Sequence, residues 1–196
     1  MHRTLRMSWF VVVALMGLSG CFLFPSAQQQ QDAARVRALD PRPLIDLPDS
    51  KHGMRLEIDP AVRDQFLIAE QNGTTAVPVE AWHTTLQNGF KNGPARFFKG
   101  DPAGPKAWKL VIISAELDFV PTAVFTRGAQ VVGAASVQAR VRYVARVVAA
   151  DGKVLLRDQG EVLSTNQWTQ AGGSSTTAAE AIAAMYQAIA KQMATL

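Results

Sequence analysis

The chain has 196 residues, 48% of them hydrophobic and 18% charged, which fits one globular domain plus a tail and excludes a second full domain. Its net charge of +4 is too small to form the dense Lys/Arg stripe of a nucleic-acid-binding surface. One cysteine closes no intramolecular disulfide and forms no CxxC pair, so apolar burial alone must hold the fold.

Arg3 and Arg6 precede an almost uninterrupted apolar run from Trp9 to Leu18, the length of a signal-peptide core and short for a membrane-spanning helix. Leu18-Ser19-Gly20-Cys21 closes the run, and a polar stretch, "PSAQQQQD", follows it. These four residues resemble the lipobox of bacterial lipoproteins. The resemblance implies that residues 1–20 are a signal peptide cleaved between Gly20 and Cys21. It also implies that the Cys21 thiol carries a diacylglyceryl group and that the new amino terminus is acylated, with palmitate a usual chain. Three acyl chains exceed the roughly two hydrophobic signals that stable anchoring needs. Phe22 stands where an aspartate would resemble an inner-membrane retention signal, so the expected location is the outer membrane, with the domain facing the periplasm. Loss of Arg3 and Arg6 leaves 18 basic against 16 acidic residues, a net +2.

From Phe22 to His52 the sequence is polar and proline-containing, with Pro25, Pro41, Pro43 and Pro48 and no helical or strand period. Residues 21–53 are therefore read as the lipidated N-terminus and a flexible tether, in which Leu44-Ile45-Asp46-Leu47 is expected to dock on its own domain. Residues 54–196 are read as a single α+β domain. Met54, Leu56 and Ile58 alternate with Arg55, Glu57 and Asp59 as a half-buried strand ended by Pro60. "VRDQFLIAEQNG" fits a second strand or a helical turn, with strand the preferred reading, and Asn72-Gly73 closes it with a turn. Pro78, Val79 and Glu80 are expected to open a helix whose buried stripe is Val79, Trp82, Leu86 and Phe90, stopped by Asn92-Gly93-Pro94.

Trp108 to Phe119, apolar on both faces at its start, reads as a central strand. "ASVQARVRYVARVVAADGKVLLRDQGEVLS" reads as a long hairpin turning at Asp151-Gly152, a favoured pair for a two-residue type I′ turn. With Ala150 opposite Lys153, Val147 meets Leu156, Tyr143 covers Gly160 and Val141 meets Val162 on the core face. Arg142 meets Glu161 and Arg146 meets Arg157 on the other. Ala145 opposite Asp158 then sets a carboxylate on the core side. The outer face carries Arg140, Arg142, Arg146 and Arg157. Such a row either solvates a strand face or docks an acidic partner or an anionic lipid head group, lipopolysaccharide included.

Thr177 and Glu180 have capping-box spacing before a C-terminal helix with Ile182, Met185, Ile189, Met193 and Leu196 on one stripe. The whole is an α+β domain with a mostly antiparallel sheet of four or five strands and two helices on one face. Segments 120–136 and 165–177 fall outside this frame as long loops, with Phe125 and Arg127 in the first and Trp168 in the second as candidate interface anchors. No catalytic residues are identified: there is no HExxH, GxSxG, Walker A or GxGxxG pattern, and His52 and His83 have no metal-ligand spacing. No metal or cofactor is expected.

The layout of lipobox, tether, compact domain, long hairpin and terminal helix resembles small envelope lipoproteins. These include ABC-transporter auxiliary lipoproteins, lipopolysaccharide-assembly lipoproteins of the LptE type and penicillin-binding-protein activators. The resemblance implies a non-enzymatic accessory role, docking on a cell-envelope complex, and carries no site residues across. Arg140, Arg142, Arg146, Arg157 and Trp168 are the expected docking surface. A lipid- or hydrophobic-ligand-binding lipoprotein is the second expectation, and a glycan-acting enzyme the third.

Overall fold

A computed structural model describes residues 35–68, 76–128, 130–167 and 173–196, and for 124–125 and 130–135 the backbone alone. Strands β1 (Met54–Ile58), β4 (Trp108–Arg127), β5 (Gln130–Val148) and β6 (Val154–Leu163) form one sheet in the order β1-β4-β5-β6. β1 runs parallel to β4, and β4, β5 and β6 form an antiparallel meander. β2 (Phe66–Ile68) and β3 (Val77–Val79) make a separate antiparallel pair. Helix α1 (Trp82–Asn92) is followed by a 3-10 turn (Pro94–Phe97), and helix α2 (Gly173–Met193) closes the chain. The expected α+β class, with its mostly antiparallel sheet, is the class observed.

The core lies between one sheet face and the two helices. Leu110, Ile112, Val141 and Val147 point there from the sheet, and Trp82, Leu86, Ile182, Met185, Tyr186 and Ile189 meet them, all fully buried. The Trp82 indole N–H donates to the Ala115 carbonyl (3.0 Å) and the Tyr186 hydroxyl to the Leu86 carbonyl (2.7 Å), so both large polar tips are satisfied inside. Among the described residues, no helix is long and apolar enough to cross a membrane.

Residues 35–53, expected as the end of a tether, instead pack along the domain. Val36 is fully buried and pairs with β3, its N–H donating to the Pro78 carbonyl and its carbonyl accepting from Glu80. Leu39 N–H donates to the Thr85 hydroxyl, and the Asn88 and Asn92 amides donate to the Leu39 and Pro41 carbonyls. Asn92 also donates to Asp40, and this bond, with Arg42 beside it, holds the Asp40 carboxyl below its ordinary range. Leu47 is buried as the docking expectation requires, while Leu44 is 88% exposed.

Pairing with Val36 and β2 also explains why Pro78 and Val79 are strand, not helix. The helix starts at Trp82, after Ala81 at φ 53°, a left-handed conformation unusual for alanine. Its N-terminus is capped from outside by Asp64, whose carbonyl accepts from Trp82 N–H and whose carboxylate accepts from His83 N–H. At the other helix, Thr177 is no cap. It lies inside α2, bonding back to the Gly173 and Ser174 carbonyls, and Glu180 instead accepts from Asn166 of the preceding loop.

The β5–β6 register is as expected from Val147–Leu156 to Val141–Val162, but its turn is not the two-residue type. Ala149 N–H donates to the Lys153 carbonyl, Gly152 takes φ 88°, and the ladder shifts by one residue beside Leu155. That is a three-residue loop with a glycine in the left-handed position, and the shift restores the register. Asp158 sits on the edge strand, where its carboxylate accepts from the Tyr143 hydroxyl at 3.0 Å. Segment 120–136, expected as a loop, is instead the far half of the β4–β5 hairpin.

Two measurements check this packing. A Cβ on Gly89 would meet the Tyr186 ring at 2.6 Å and Ile182 at 3.3 Å, so Gly89→Val is expected to destabilise by about 1–3 kcal/mol, read as a lower urea midpoint. An unchanged midpoint would mean that α1 and α2 are not in contact there. Burial pushes the phenols of Tyr186 and Tyr143 well above the usual tyrosine value, with Asp158 adding to the effect at Tyr143. Both tyrosines in the chain therefore hold their protons in the fold while the unfolded chain loses them. Stability from this source is complete below about pH 10 and falls as pH rises above it. Phenolate absorbance should stay flat until the circular dichroism collapses; a native-state rise near pH 10 would contradict the burial.

Candidate functional site

The sheet face opposite the helices is built by alternation: β5 sends Val141, Tyr143, Ala145 and Val147 inward, so Arg140, Arg142, Val144 and Arg146 face out. All four arginines expected on one face are there, but their neighbours on β4 and β6 divide them. Arg140 stands opposite Asp118 of β4, with Nη2 2.5 Å from Oδ2, and its other terminal nitrogen lies 3.8 Å from Glu161. Its side chain is 27% exposed and that of Asp118 is 14%, so this is a half-buried pair. Arg142 stands between Glu116, at 3.3 Å, and Glu161 across the ladder.

Arg146 and Arg157 lie directly opposite each other, both exposed, and no ion pair to an acid forms at either among the described residues. In the same cross-strand row, β4 offers Val111 and β1 offers Glu57, whose carboxylate is engaged by Lys109 at 3.0 Å. Arg55, opposite Lys109 and exposed, adds to the same end. The face thus has more acids than arginines toward Asp118 and is cationic toward the β5–β6 turn. Like charges directly opposite on a ladder destabilise it, so this end of the sheet favours an external anion. The forked donors of two guanidiniums suit a carboxylate or a phosphate.

A groove of about 580 Å³ runs along the edge of β4, between Ile113–Asp118 and β2. Phe66, Leu67 and Ile68 wall one side, and Glu116, Asp118 and Arg142 line the other. It forms because β1 ends at Ile58, opposite Ile112, and leaves the rest of that edge without a ladder partner among the described strands. Leu67, 63% exposed, stands over it. The sequence does not reveal this groove, because it depends on where β1 stops pairing.

His52 and His83, the two histidines among the described residues, are engaged in packing. His52 stacks on Trp108 with centroids 4.8 Å apart, and His83 Nε2 lies 2.6 Å from the Val62 carbonyl. Ser174, in a segment expected as a loop, is buried in the first turn of α2. Gly20, Cys21 and Trp168 lie outside the described residues.

No protein-family model matches the chain, and no curated protein matches it. Among solved structures it is similar to a minor lipoprotein from Acinetobacter baumannii, with 11% identity and a TM-score of 0.43 over 76% of this chain and 94% of that one. It is also similar to protein XCC0632 from Xanthomonas campestris, of the DUF330 family, with 11% identity and a TM-score of 0.44 over 82% of this chain and 98% of that one.

The division of the arginines predicts unequal mutant effects. Arg140→Ala leaves the Asp118 carboxylate without its partner in a half-buried place and is expected to cost about 1–3 kcal/mol. Arg146→Ala and Arg157→Ala should each change stability by no more than about 0.5 kcal/mol, or raise it by relieving repulsion. Urea unfolding of the three variants checks this; equal losses would mean that Arg146 and Arg157 carry structural pairs.

Proposed function

We propose that this chain is a bacterial envelope lipoprotein, anchored through Cys21 in the outer membrane with its domain in the periplasm. Its role there is a non-enzymatic accessory one: it docks on a cell-envelope complex through the outer sheet face. The observation that carries the docking surface is the Arg146–Arg157 pair, two exposed guanidiniums opposite each other that form no ion pair among the described residues, on a face whose Arg140 and Arg142 are paired with acids. Arg140 and Arg142 belong to the framework of that face. The anchor rests on the resemblance of Leu18-Ser19-Gly20-Cys21 to a lipobox.

An alternative role in binding a lipid or another hydrophobic ligand needs an apolar cavity between sheet and helices. That space is filled by Trp82, Leu86, Ile182, Met185, Tyr186 and Ile189, each at 0% exposure. The groove beside β4 lies at the sheet edge and mixes apolar walls with Arg63, Glu116 and Asp118.

In-cell crosslinking from positions on the outer face should capture a discrete envelope protein. The double variant Arg146→Glu, Arg157→Glu should lose that capture while keeping its far-ultraviolet circular dichroism and urea midpoint. Capture that survives in the folded double variant would remove this end of the sheet from the docking surface.

A further inference from the structure

β4 and β5 both outrun their neighbours. β1 stops pairing at Ile112, and β6 stops at Leu163, opposite Arg140. Beyond Val120 and Gln138 the two strands continue as a two-stranded ribbon, paired to Arg127–Gln130, with register shifts at Pro121/Ala123, Ala123/Val124 and Phe125/Thr126. From Val120 to Arg127 the ribbon is about 25 Å long at the usual rise of a strand. At its base Ser136 and Val137 are buried, and α2 packs against β5.

Its composition differs from the rest of the sheet. Segment 120–136, "VPTAVFTRGAQVVGAAS", holds a single charged residue, Arg127, and no acid. Thr122, Ala123, Thr126, Arg127 and Gly128 are exposed. A two-stranded hairpin is marginal in water by itself, and open edges without interspersed charges invite pairing or burial. A ribbon of this kind needs something to cover it.

The position of the ribbon favours one cover. Arg35, where the described chain begins, has its carbonyl bound by Ser175 in the first turn of α2. Two turns into the same helix, Glu180 holds the loop after β6 by accepting from Asn166. In that loop Gln167 accepts from the Thr122 hydroxyl at the ribbon base (3.0 Å). The chain thus enters the domain at the end from which the ribbon projects. The segment from Cys21 to Arg35 spans at most about 50 Å even when fully extended, so an anchored Cys21 keeps this end of the domain within that distance of the bilayer.

We infer that the β4–β5 ribbon is a second membrane contact, seating its uncharged strands in the interface of the leaflet that holds the anchor, with Arg127 at the lipid phosphates. This inference rests on the anchoring reading of Cys21. An apolar segment with one cation and no anion matches an interfacial site on anionic lipid, where apolar area and charge attraction add.

The test uses the full mature lipoprotein in vesicles of phosphatidylethanolamine and phosphatidylglycerol, carrying a bimane label at Thr126→Cys or, as the control, at Asp151→Cys. Both positions are exposed, and the second lies in the turn at the opposite end of the sheet. The label at 126 should be several-fold less quenched by aqueous iodide than that at 151, and it alone should be quenched by brominated phospholipid. Equal iodide quenching overturns the inference. So does shielding at 126 without bromine quenching, which would mean that a second copy covers the ribbon. The mass of the N-terminal peptide separates the two layers of the argument. An unmodified Cys21 overturns the anchor and the ribbon contact together, whereas an acylated Cys21 with position 126 open to iodide overturns the ribbon contact alone.

Discussion

The indole N–H of Trp82, fully buried, has its acceptor at the Ala115 carbonyl on the edge of β4, and the architecture turns on this bond. A buried donor left unpaired costs about 1–3 kcal/mol, so the edge at Ala115 must be reachable by a side chain from α1. A strand continuing beside β4 would occupy that edge. β1 therefore ends at Ile58, where Asp59 N–H makes a last bond to the Ile112 carbonyl before the turn at Pro60. The β4 register shift between Ile112 and Ser114 falls at the same point. Phe66 packs edge-on against Trp82, which brings β2 beside the opened edge and makes the groove. The short first strand, the bulge, the separate β2–β3 pair and the groove thus share one cause.

The segment that precedes β1 depends on the same helix. Asn88 and Asn92 point from α1 to the carbonyls of Leu39 and Pro41, and Thr85 receives the N–H of Leu39, so residues 39–41 are held by side chains at helical spacing. Val36 then adds a further extended segment beside β3. This explains why a proline-rich stretch without periodicity is ordered: the backbone groups of Val36, Leu39 and Pro41 are paired with the domain, and Val36, Pro41, Pro43 and Leu47 are buried.

Local pattern revealed what depends on neighbours in the chain. The alternation of Met54 to Ile58, the stripe Trp82–Leu86–Phe90 and the β5–β6 register follow from periodicity and one turn. The features it missed depend on distant partners. Val79 reads as helical until Val36, 43 residues earlier, pairs with it. The neutralisation of Arg140 and Arg142 needs Asp118 and Glu116, whose register across a bulged β4–β5 ladder no short-range rule supplies. The ribbon reads as a loop in the sequence because Pro121, Gly128 and Gly133 interrupt its pattern, and long bulged hairpins carry such residues in their strands. The four arginines were legible as a face, but their division into paired and unpaired ends was not.

The meander also separates two chemistries along one strand. On β5 the ribbon begins at Gln130, and Arg146 lies 16 residues further on, about 54 Å at the rise of an antiparallel strand. Consecutive turns of a meander lie at opposite ends, so the Arg146–Arg157 pair is beside the β5–β6 turn and the uncharged ribbon beside the chain entry. If the ribbon meets the leaflet that holds the anchor, the guanidinium pair stands well beyond the roughly 8–10 Å over which charges act in physiological salt. Its anion then comes from a partner on the far side of the domain, and lipid phosphates of the anchoring leaflet are out of reach. On that proposal the domain would act as a spacer, with the ribbon toward the membrane and the guanidinium pair toward an acidic protein surface. Between them Asp118, Glu161 and Glu116 outnumber Arg140 and Arg142, so the middle of the face carries no cationic surplus and the cationic end remains distinct.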